Sequence, residues 1–237
     1  MSLATPREQI VLVPWDPESP EHVQRLLEQR VQCGWNSHLV EPQWRPKQIS
    51  GHKCIYWITL SPHDARTKDL LQLHFDMYPK DKAPLADTAT SLRAKPRSPT
   101  QALIYPIGHI SLDDENAESK DLDLGLPSEG VFWIKTLYIS NALQSKGIGR
   151  AAMDVVEEMA AKEPLNAKTL ALDTLDKGDI RKRALRETGK QPKMTNQEWY
   201  ERRGYHLIHT ELEHYLVHFG DSPGMSTVFL RRDIASG

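Results

Sequence analysis

The sequence predicts a mixed α/β, or α+β, fold formed as one domain over residues 1–237. Short runs of β-branched and aromatic residues recur along the chain, as strands require. Two longer stretches place apolar residues at helical spacing. The order of these segments is the third observation: three strand-like runs precede the strand, glycine turn and helix from residue 131 onwards without regular alternation, which argues against a doubly wound parallel sheet. A chain of 237 residues is long enough to bury a core of its own. With 39% hydrophobic and 26% charged residues its composition is ordinary for a globular protein. A formal net charge of −2 gives it no bulk attraction to nucleic acid or an anionic membrane. Met1–Glu8 lacks the apolar stretch of a secretory signal, and no apolar run approaches a membrane span, so a cytoplasmic location is expected, with the nucleus open.

Ile10–Trp15 is a short strand. Ser19, Pro20 and Glu21 then supply an N-cap, a proline suited to the first helical turn and an acid near the positive helix end. Val23, Leu26, Leu27 and Val31 mark one face of that helix as far as Gly34, a natural stop. Glu41–Ser50 reads as a broken, proline-interrupted segment, and Lys53–Leu60 as the second strand. Residues 62–100 carry Pro62, Pro79, Pro84, Pro96 and Pro99 among polar residues. They read as a polar insertion, mostly loop, with a short helix near Leu70–Tyr78. Ala102–Leu112 is the third strand and Asp113–Glu129 an acidic loop. Val131–Ile139, the fourth strand, leads through Gln144–Arg150 into a helix whose face is Ala152, Met153, Val156, Met159 and Ala160. Thr169–Thr174 is the fifth strand, 176–195 a charged connection and Gln197–Arg203 a short helix. Closing strands lie near Tyr205–Val217 and Met225–Arg231.

The segment Gln144-Ser145-Lys146-Gly147-Ile148-Gly149-Arg150 holds the densest chemical information. A strand, a glycine turn and a helix start present free backbone N–H groups and a positive dipole end to one point, which suits a negatively charged group. Gly147 and Gly149 let that backbone approach a pyrophosphate without a Cβ in the way. Gly147-x-Gly149-x-x-Ala152 also fits the dinucleotide fingerprint. Against that reading, about six residues separate Ile139 from the first glycine, where a dinucleotide fold runs almost directly from strand to glycine.

Gln144-x-x-Gly147-x-Gly149, after a strand ending in Leu137-Tyr138-Ile139, resembles the acetyl-CoA signature of the GNAT N-acetyltransferase superfamily. A second element, Asn196-Gln197-Glu198-Trp199-Tyr200-Glu201-Arg202-Arg203-Gly204-Tyr205, resembles that family's Asn, Tyr and Gly-aromatic pattern. The two together are more specific than either alone, and with the flanking strands the resemblance covers roughly residues 100–235. The resemblance implies a single mixed, mostly antiparallel central sheet of six to seven strands flanked by helices. Its fourth and fifth strands, Val131–Ile139 and Thr169–Thr174, would be splayed.

The resemblance also implies acetyl-CoA as cosubstrate and acetyl transfer to a primary amine by direct attack in a ternary complex. Backbone N–H groups of Ser145, Lys146, Gly147, Ile148, Gly149 and Arg150 would take the pyrophosphate, with charge from Lys146 and Arg150. Pantetheine would bond like an added strand to Tyr138 and Ile139. The N–H of Leu137 would stabilise the oxyanion and Asn196 would bond the coenzyme. Tyr200 would protonate the departing thiolate, a role that suits a phenol with an ordinary pKa of about 10. Many relatives carry a general-base Glu where this chain has Trp133, so the base stays open among Glu129, His109 and Asp173.

Residues Asp113, Asp114 and Glu115 offer either acceptor steering or a plain solvated loop. Lys177, Arg181, Lys182, Arg183, Arg186, Lys190 and Lys193 offer an anion-attracting or simply exposed stretch. Trp35, Trp44, Tyr56 and Trp57 are either walls of the acceptor pocket or core. His206, His209, His214 and His218 alternate across a strand, which argues against one shared metal, and no metal site is expected. Cys33 and Cys54 read as reduced packing thiols. The leading expectation is an N-acetyltransferase with a small-molecule acceptor, monomeric or homodimeric, without nucleic-acid or membrane partners. A non-catalytic acyl-CoA-binding module and a dinucleotide-dependent oxidoreductase follow it.

Overall fold

A computed structural model describes residues 9–214 and 224–234. In chain order they form β1 (Ile10–Pro14), α1 (Pro20–Cys33), α2 (Arg45–Ser50), β2 (Ile55–Leu60), α3 (Thr67–Met77), β3 (Leu85–Ala86), β4 (Ser91–Leu92), β5 (Lys95–Pro96), β6 (Leu103–Ile104) and β7 (Gly108–Asp113). There follow β8 (Val131–Ile139), α4 (Ile148–Ala161), β9 (Thr169–Leu175), α5 (Lys177–Thr188), α6 (Asn196–Glu201), β10 (His206–Leu212) and β11 (Ser226–Asp233). Seven strands make the main sheet, in the order β1-β2-β7-β8-β9-β11-β10. Most pairings are antiparallel, whereas β8 and β9 run parallel through Val131↔Thr169, Phe132↔Leu170 and Trp133↔Ala171. The expected mixed, mostly antiparallel sheet with flanking helices is therefore present. The expected strand end at Tyr215–Val217, and His218, lie outside the described residues.

The chain divides into two compact units. One comprises the residues up to Glu115 together with Ile134–Lys162, the other Asn116–Trp133 and the chain from Glu163. In the first, α1 is capped by Ser19, carries Pro20 in its first turn and stops at Gly34 with φ 79°. Its buried Val23 and Leu26 join Val13, Trp15, Val40, Trp44, Ile55 and Trp57 in one core. Each such aliphatic side chain contributes about 1.5–3 kcal/mol by leaving water. The apolar face of α4, through Ile148, Ala151, Ala152, Met153, Val156 and Ala160, is buried as its spacing predicts. In the second unit Leu124, Trp133, Ala171 and Phe229 form a separate core.

Four expected segments need correction. Residues 40–50 are helical rather than broken: Pro42 sits in a π-helical turn, Val40–Trp44, and Pro46 in the first turn of α2, where a missing N–H costs little. Buried Val40 and Trp44 anchor that stretch to the core. Within 62–100, α3 begins three residues before the expected helix, and the rest is organised by a 3-10 turn (Pro79–Lys82) and two short ladders, β3–β6 and β4–β5. The expected third strand, Ala102–Leu112, is divided between β6 and β7, because Pro106 between them has no N–H for a ladder. The charged connection 176–195 contains α5, capped by Asp176 and closed by Gly189 at φ 70°. None of its side chains is buried, so it shows little amphipathic signal.

Candidate active site

In the first unit, β8 leads to the glycine turn. Its pleat is interrupted at Thr136, which has φ 54° in a strand where non-glycine residues avoid positive values. Burial no longer alternates, with Trp133 and Ile134 buried as neighbours and then Tyr138 and Ile139. A buried polar chain fixes the distortion. Thr136 Oγ1 donates to Ser111 Oγ (3.1 Å), Ser111 Oγ donates to the Lys135 carbonyl (3.2 Å), and Lys53 Nζ donates to Ser111 Oγ (3.1 Å) and Asp113 Oδ2 (2.7 Å). The half-buried Leu137 thus directly follows a left-handed residue.

Beyond Ile139 the chain makes a 3-10 turn at Asn141–Leu143, passes through Ser145 at φ 63° and reaches Gly147 at φ 87°, the N-cap of α4. Leu143 and Ile148 are buried and pin the turn at both ends, while Gln144, Ser145, Lys146, Gly147 and Arg150 are exposed. The left-handed geometry suits glycine at 147, and glycine has no side chain to cap the helix, so the first-turn N–H groups of a fourteen-residue helix face outward. A Cβ at position 149 would meet nothing nearer than Ile139 Cγ1 at 3.7 Å, so the fold itself leaves room there. Gln144 Nε2 donates to Asn141 Oδ1 at 2.9 Å and to the Ile139 carbonyl at 3.4 Å. This is a ready site for a phosphate or pyrophosphate.

In the second unit, α6 carries Asn196 and Tyr200 one turn apart, on one helical face. Six residues are too few to hold a helix alone. A capping box supports it, with the Glu198 N–H bonded to Thr195 Oγ1 and the Thr195 N–H to the Glu198 carboxylate at 2.8 Å. Helix α5 adds a clamp. Arg181 Nη2 bonds both Glu198 oxygens (2.8 and 2.9 Å), Lys177 Nζ bonds both Glu201 oxygens (2.9 Å each), and the Lys177 N–H reaches the buried Gln197 Oε1 at 2.7 Å. The Thr195 N–H first, and then Arg181, hold the Glu198 carboxyl down at about 2. Asn196 is exposed; the half-buried Tyr200 ring packs between Trp199 and Tyr205 at centroid distances of 5.0 and 6.0 Å. Gly204, at φ 87°, turns the chain so that the Tyr205 N–H bonds back to the Tyr200 carbonyl (3.2 Å).

The three candidate bases have unlike settings. Glu129 is exposed in the loop before β8, and Asp173 is half-buried on β9 opposite Phe229. His109 is fully buried: Nδ1 lies 2.8 Å from Gln29 Oε1 and Nε2 3.4 Å from Arg30 Nη1. Burial, and then the charges of Arg30 and Lys53, push it well below the usual histidine range. Trp133 packs edge-on against Phe229, 6.4 Å between centroids, as an apolar core residue.

Other side chains singled out by sequence have structural employment. Asp113 is buried on Lys53, while Asp114 pairs with His52 at 3.1 Å and Glu115 with Lys47 at 3.9 Å at the surface. On α5, Lys177, Arg181, Lys182 and Arg183 are all ion-paired. Trp44, Tyr56 and Trp57 are buried, and Trp35 half-buried. Cys33 and Cys54 are free thiols, with burial raising Cys54 to about 11. Among the described residues no three His, Cys, Asp or Glu side chains group as metal ligands, and no helix is long and apolar enough to cross a membrane. Sequence reasoning missed Thr136 and its support from Ser111: only glycine advertises a left-handed residue in a strand.

The model of the acetyltransferase (GNAT) family matches residues 67–189, just over half of the 237-residue chain. No curated protein matches the sequence. Among solved structures, Arabidopsis thaliana NAA60 in complex with a bisubstrate analogue is 13% identical, covering 96% of this chain and 99% of its own with a TM-score of 0.50. The same protein is also solved with acetyl-CoA. A probable acetyltransferase (GNAT family) from Chromobacterium violaceum is 11% identical over 95% of this chain and 83% of its own, with a TM-score of 0.51. Spermidine/spermine N-acetyltransferase SpeG from Vibrio cholerae is 11% identical over 97% and 95%, with a TM-score of 0.50. At these identities the likeness is one of fold.

Proposed function

Because the chain belongs to the acetyltransferase (GNAT) family, we propose that it is an acetyl-CoA-dependent N-acetyltransferase acting on a small primary amine by direct attack in a ternary complex. One observation carries the reading: a strand interrupted by a left-handed residue leads through an exposed turn to an N-cap glycine and the uncapped start of a long helix. Acetyl-CoA is the cosubstrate. Its pyrophosphate takes the N–H groups from Ser145 to Arg150, with Lys146 and Arg150 adding charge, and its pantetheine arm bonds the backbone of Tyr138 and Ile139. Asn196 supplies a further hydrogen bond to the coenzyme.

The amine nitrogen attacks the thioester carbonyl carbon, and the oxyanion takes the N–H of Leu137, whose peptide follows the left-handed Thr136. Collapse breaks the C–S bond, and the Tyr200 hydroxyl gives its proton to the thiolate. The proton lost by the amine passes to a carboxylate, Glu129 or Asp173, directly or through water. His109 is left out of this step because both ring nitrogens are engaged inside the core.

A second reading, acyl-CoA binding without transfer, is favoured by Trp133, which puts an apolar core residue where relatives often carry a carboxylate. A thermal-shift panel of acetyl-CoA, CoA, NAD and NADP, followed by thiol-release assays over small amines and peptides, tests both. The proposal expects stabilisation by acetyl-CoA and CoA, with CoA thiol released in the presence of a small amine. Stabilisation without release over the whole panel selects the second reading; stabilisation by NAD or NADP alone overturns both. Release with peptides only corrects the acceptor class.

A further inference from the structure

We propose that His74 and Tyr78, carried by the 62–100 segment, are positioning residues for the coenzyme turn. This rests on the reading of that turn as the acetyl-CoA site and adds a role for the segment within it. The segment's helix α3 presents two polar contacts to the exit of β8. His74 is 1% exposed, and its Nδ1 lies 2.8 Å from the Oγ of Ser140, which is equally buried and is the first residue after the strand. On its far side His74 Nε2 lies 3.1 Å from Asp81 Oδ2, and Arg25 Nε lies 3.3 Å from Asp81 Oδ1. Asp81 and Arg25 are buried too, so each of these charges has its counter-charge inside the core. The imidazole is hydrogen-bonded to Ser140 Oγ through Nδ1, while on the Asp81 side it makes a close contact without hydrogen-bond geometry.

A second arm runs over the surface. Asn141 Nδ2 donates to the Tyr78 hydroxyl at 3.1 Å, and Asn141 Oδ1 accepts from Gln144 Nε2 at 2.9 Å. Gln144 is the first residue of the glycine motif. The Ser140 N–H is also tied to the Ile107 carbonyl at 2.8 Å, and the Leu143 N–H to the Ser140 carbonyl at 2.8 Å. The residue where the chain leaves the pantetheine strand and enters the pyrophosphate turn is thus fixed by side chain and backbone together. An amide cradle binds a phosphate well only when its N–H groups are held convergent before the ligand arrives. His74 and Tyr78 perform that task without touching the coenzyme.

The test is CoA binding by calorimetry and steady-state kinetics in acetyl-CoA for the full chain, with thermal melts alongside, in Ser140→Ala, Tyr78→Phe, His74→Gln and His74→Asn. Asparagine can keep a polar atom near the Nδ1 position and so retain the Ser140 arm; glutamine places its polar atoms near the Nε2 position, beside Asp81, and loses the Ser140 arm. One lost hydrogen bond corresponds to about a threefold to tenfold weaker affinity. Ser140→Ala and His74→Gln should show that loss in CoA Kd and in KM for acetyl-CoA, with kcat at saturation within about twofold of wild type. His74→Asn should bind CoA more tightly than His74→Gln, and Tyr78→Phe should show a smaller loss in a protein that melts normally. Wild-type CoA affinity in both Ser140→Ala and His74→Gln overturns the proposal, as does equal behaviour of His74→Asn and His74→Gln with only the melting temperature changed. A wild-type chain that binds no CoA overturns instead the coenzyme reading itself.

Discussion

In the first unit, the strand and turn proposed to meet the coenzyme are held by buried polar contacts: Lys53 and Asp113 act through Ser111 on Thr136, and His74, packed beside Asp81, bonds Ser140. In the second unit, the helix that presents Asn196 and Tyr200 is held by a capping box and by two partly exposed ion pairs from α5. The difference is physical. Buried bonds are little screened by salt and cannot exchange with water, so they fix backbone positions tightly. Surface pairs are worth less each and weaken as salt rises. A backbone cradle for phosphate needs the first kind of support. A side chain that delivers one proton can work with the second.

The largest expected effect tests the second unit's share. Tyr200→Phe should lower kcat by about a hundredfold, within the range for removing a general acid, while leaving acetyl-CoA Kd unchanged. A kcat within twofold of wild type removes Tyr200 from the chemistry. Next comes the first unit's cradle. Gly149→Ala should melt like wild type, since its Cβ meets only Ile139 at ordinary contact distance, yet bind CoA about tenfold more weakly by crowding a phosphate hydrogen bond. A wild-type Kd would mean that the phosphate lies elsewhere.

Acid separates the two kinds of support further. Burial alone would raise Asp87, but its bonds to Arg97 and Thr100 outweigh this and hold it at about 2, below its ordinary 3.8. Its folded pKa is depressed, so its contribution, about 2 kcal/mol, is complete above about pH 4 and is lost as pH falls towards 2. Asp87→Asn should therefore lower the melting temperature at pH 7 and flatten its dependence on pH between 4 and 2. An unchanged acid profile would place the stabilisation elsewhere. His22 and His109 work at higher pH. Burial depresses both, so the unfolded chain binds protons that the folded chain refuses, and stability declines as pH drops below about 6.5. The smallest effect belongs to α5: Arg181→Ala should reduce kcat by about two- to fivefold at low salt and by less at high salt. A loss independent of salt would contradict the ion-pair account of the clamp.

Most main-sheet strands, α1, α4 and α6 were legible because each carries a local signal, whether a β-branched run, a cap or an apolar stripe, whereas the two-residue strands β3 to β6 carry none. The glycine turn and the Asn196–Tyr200 helix were legible as motifs, since each is defined by backbone conformation and residue spacing. Three features were hidden for physical reasons. Thr136 takes a left-handed conformation without being glycine, so nothing in the local sequence marks it. Helix α5 buries no side chain and is held by ion pairs in place of an apolar face, so periodicity passes over it. His74 and Asp113 read as members of a polar insertion and an acidic loop, because their partners Ser140 and Lys53 lie sixty or more residues away in sequence.

The central claim is the division of labour: the turn binds the acyl donor and Tyr200 drives its departure. Acetyl-CoA Kd and saturating kcat, measured side by side in Gly149→Ala and Tyr200→Phe, test it most directly. The account predicts that Gly149→Ala weakens Kd about tenfold with kcat near wild type, and that Tyr200→Phe lowers kcat about a hundredfold with Kd near wild type. Both substitutions moving the same parameter, or neither moving any, would contradict it.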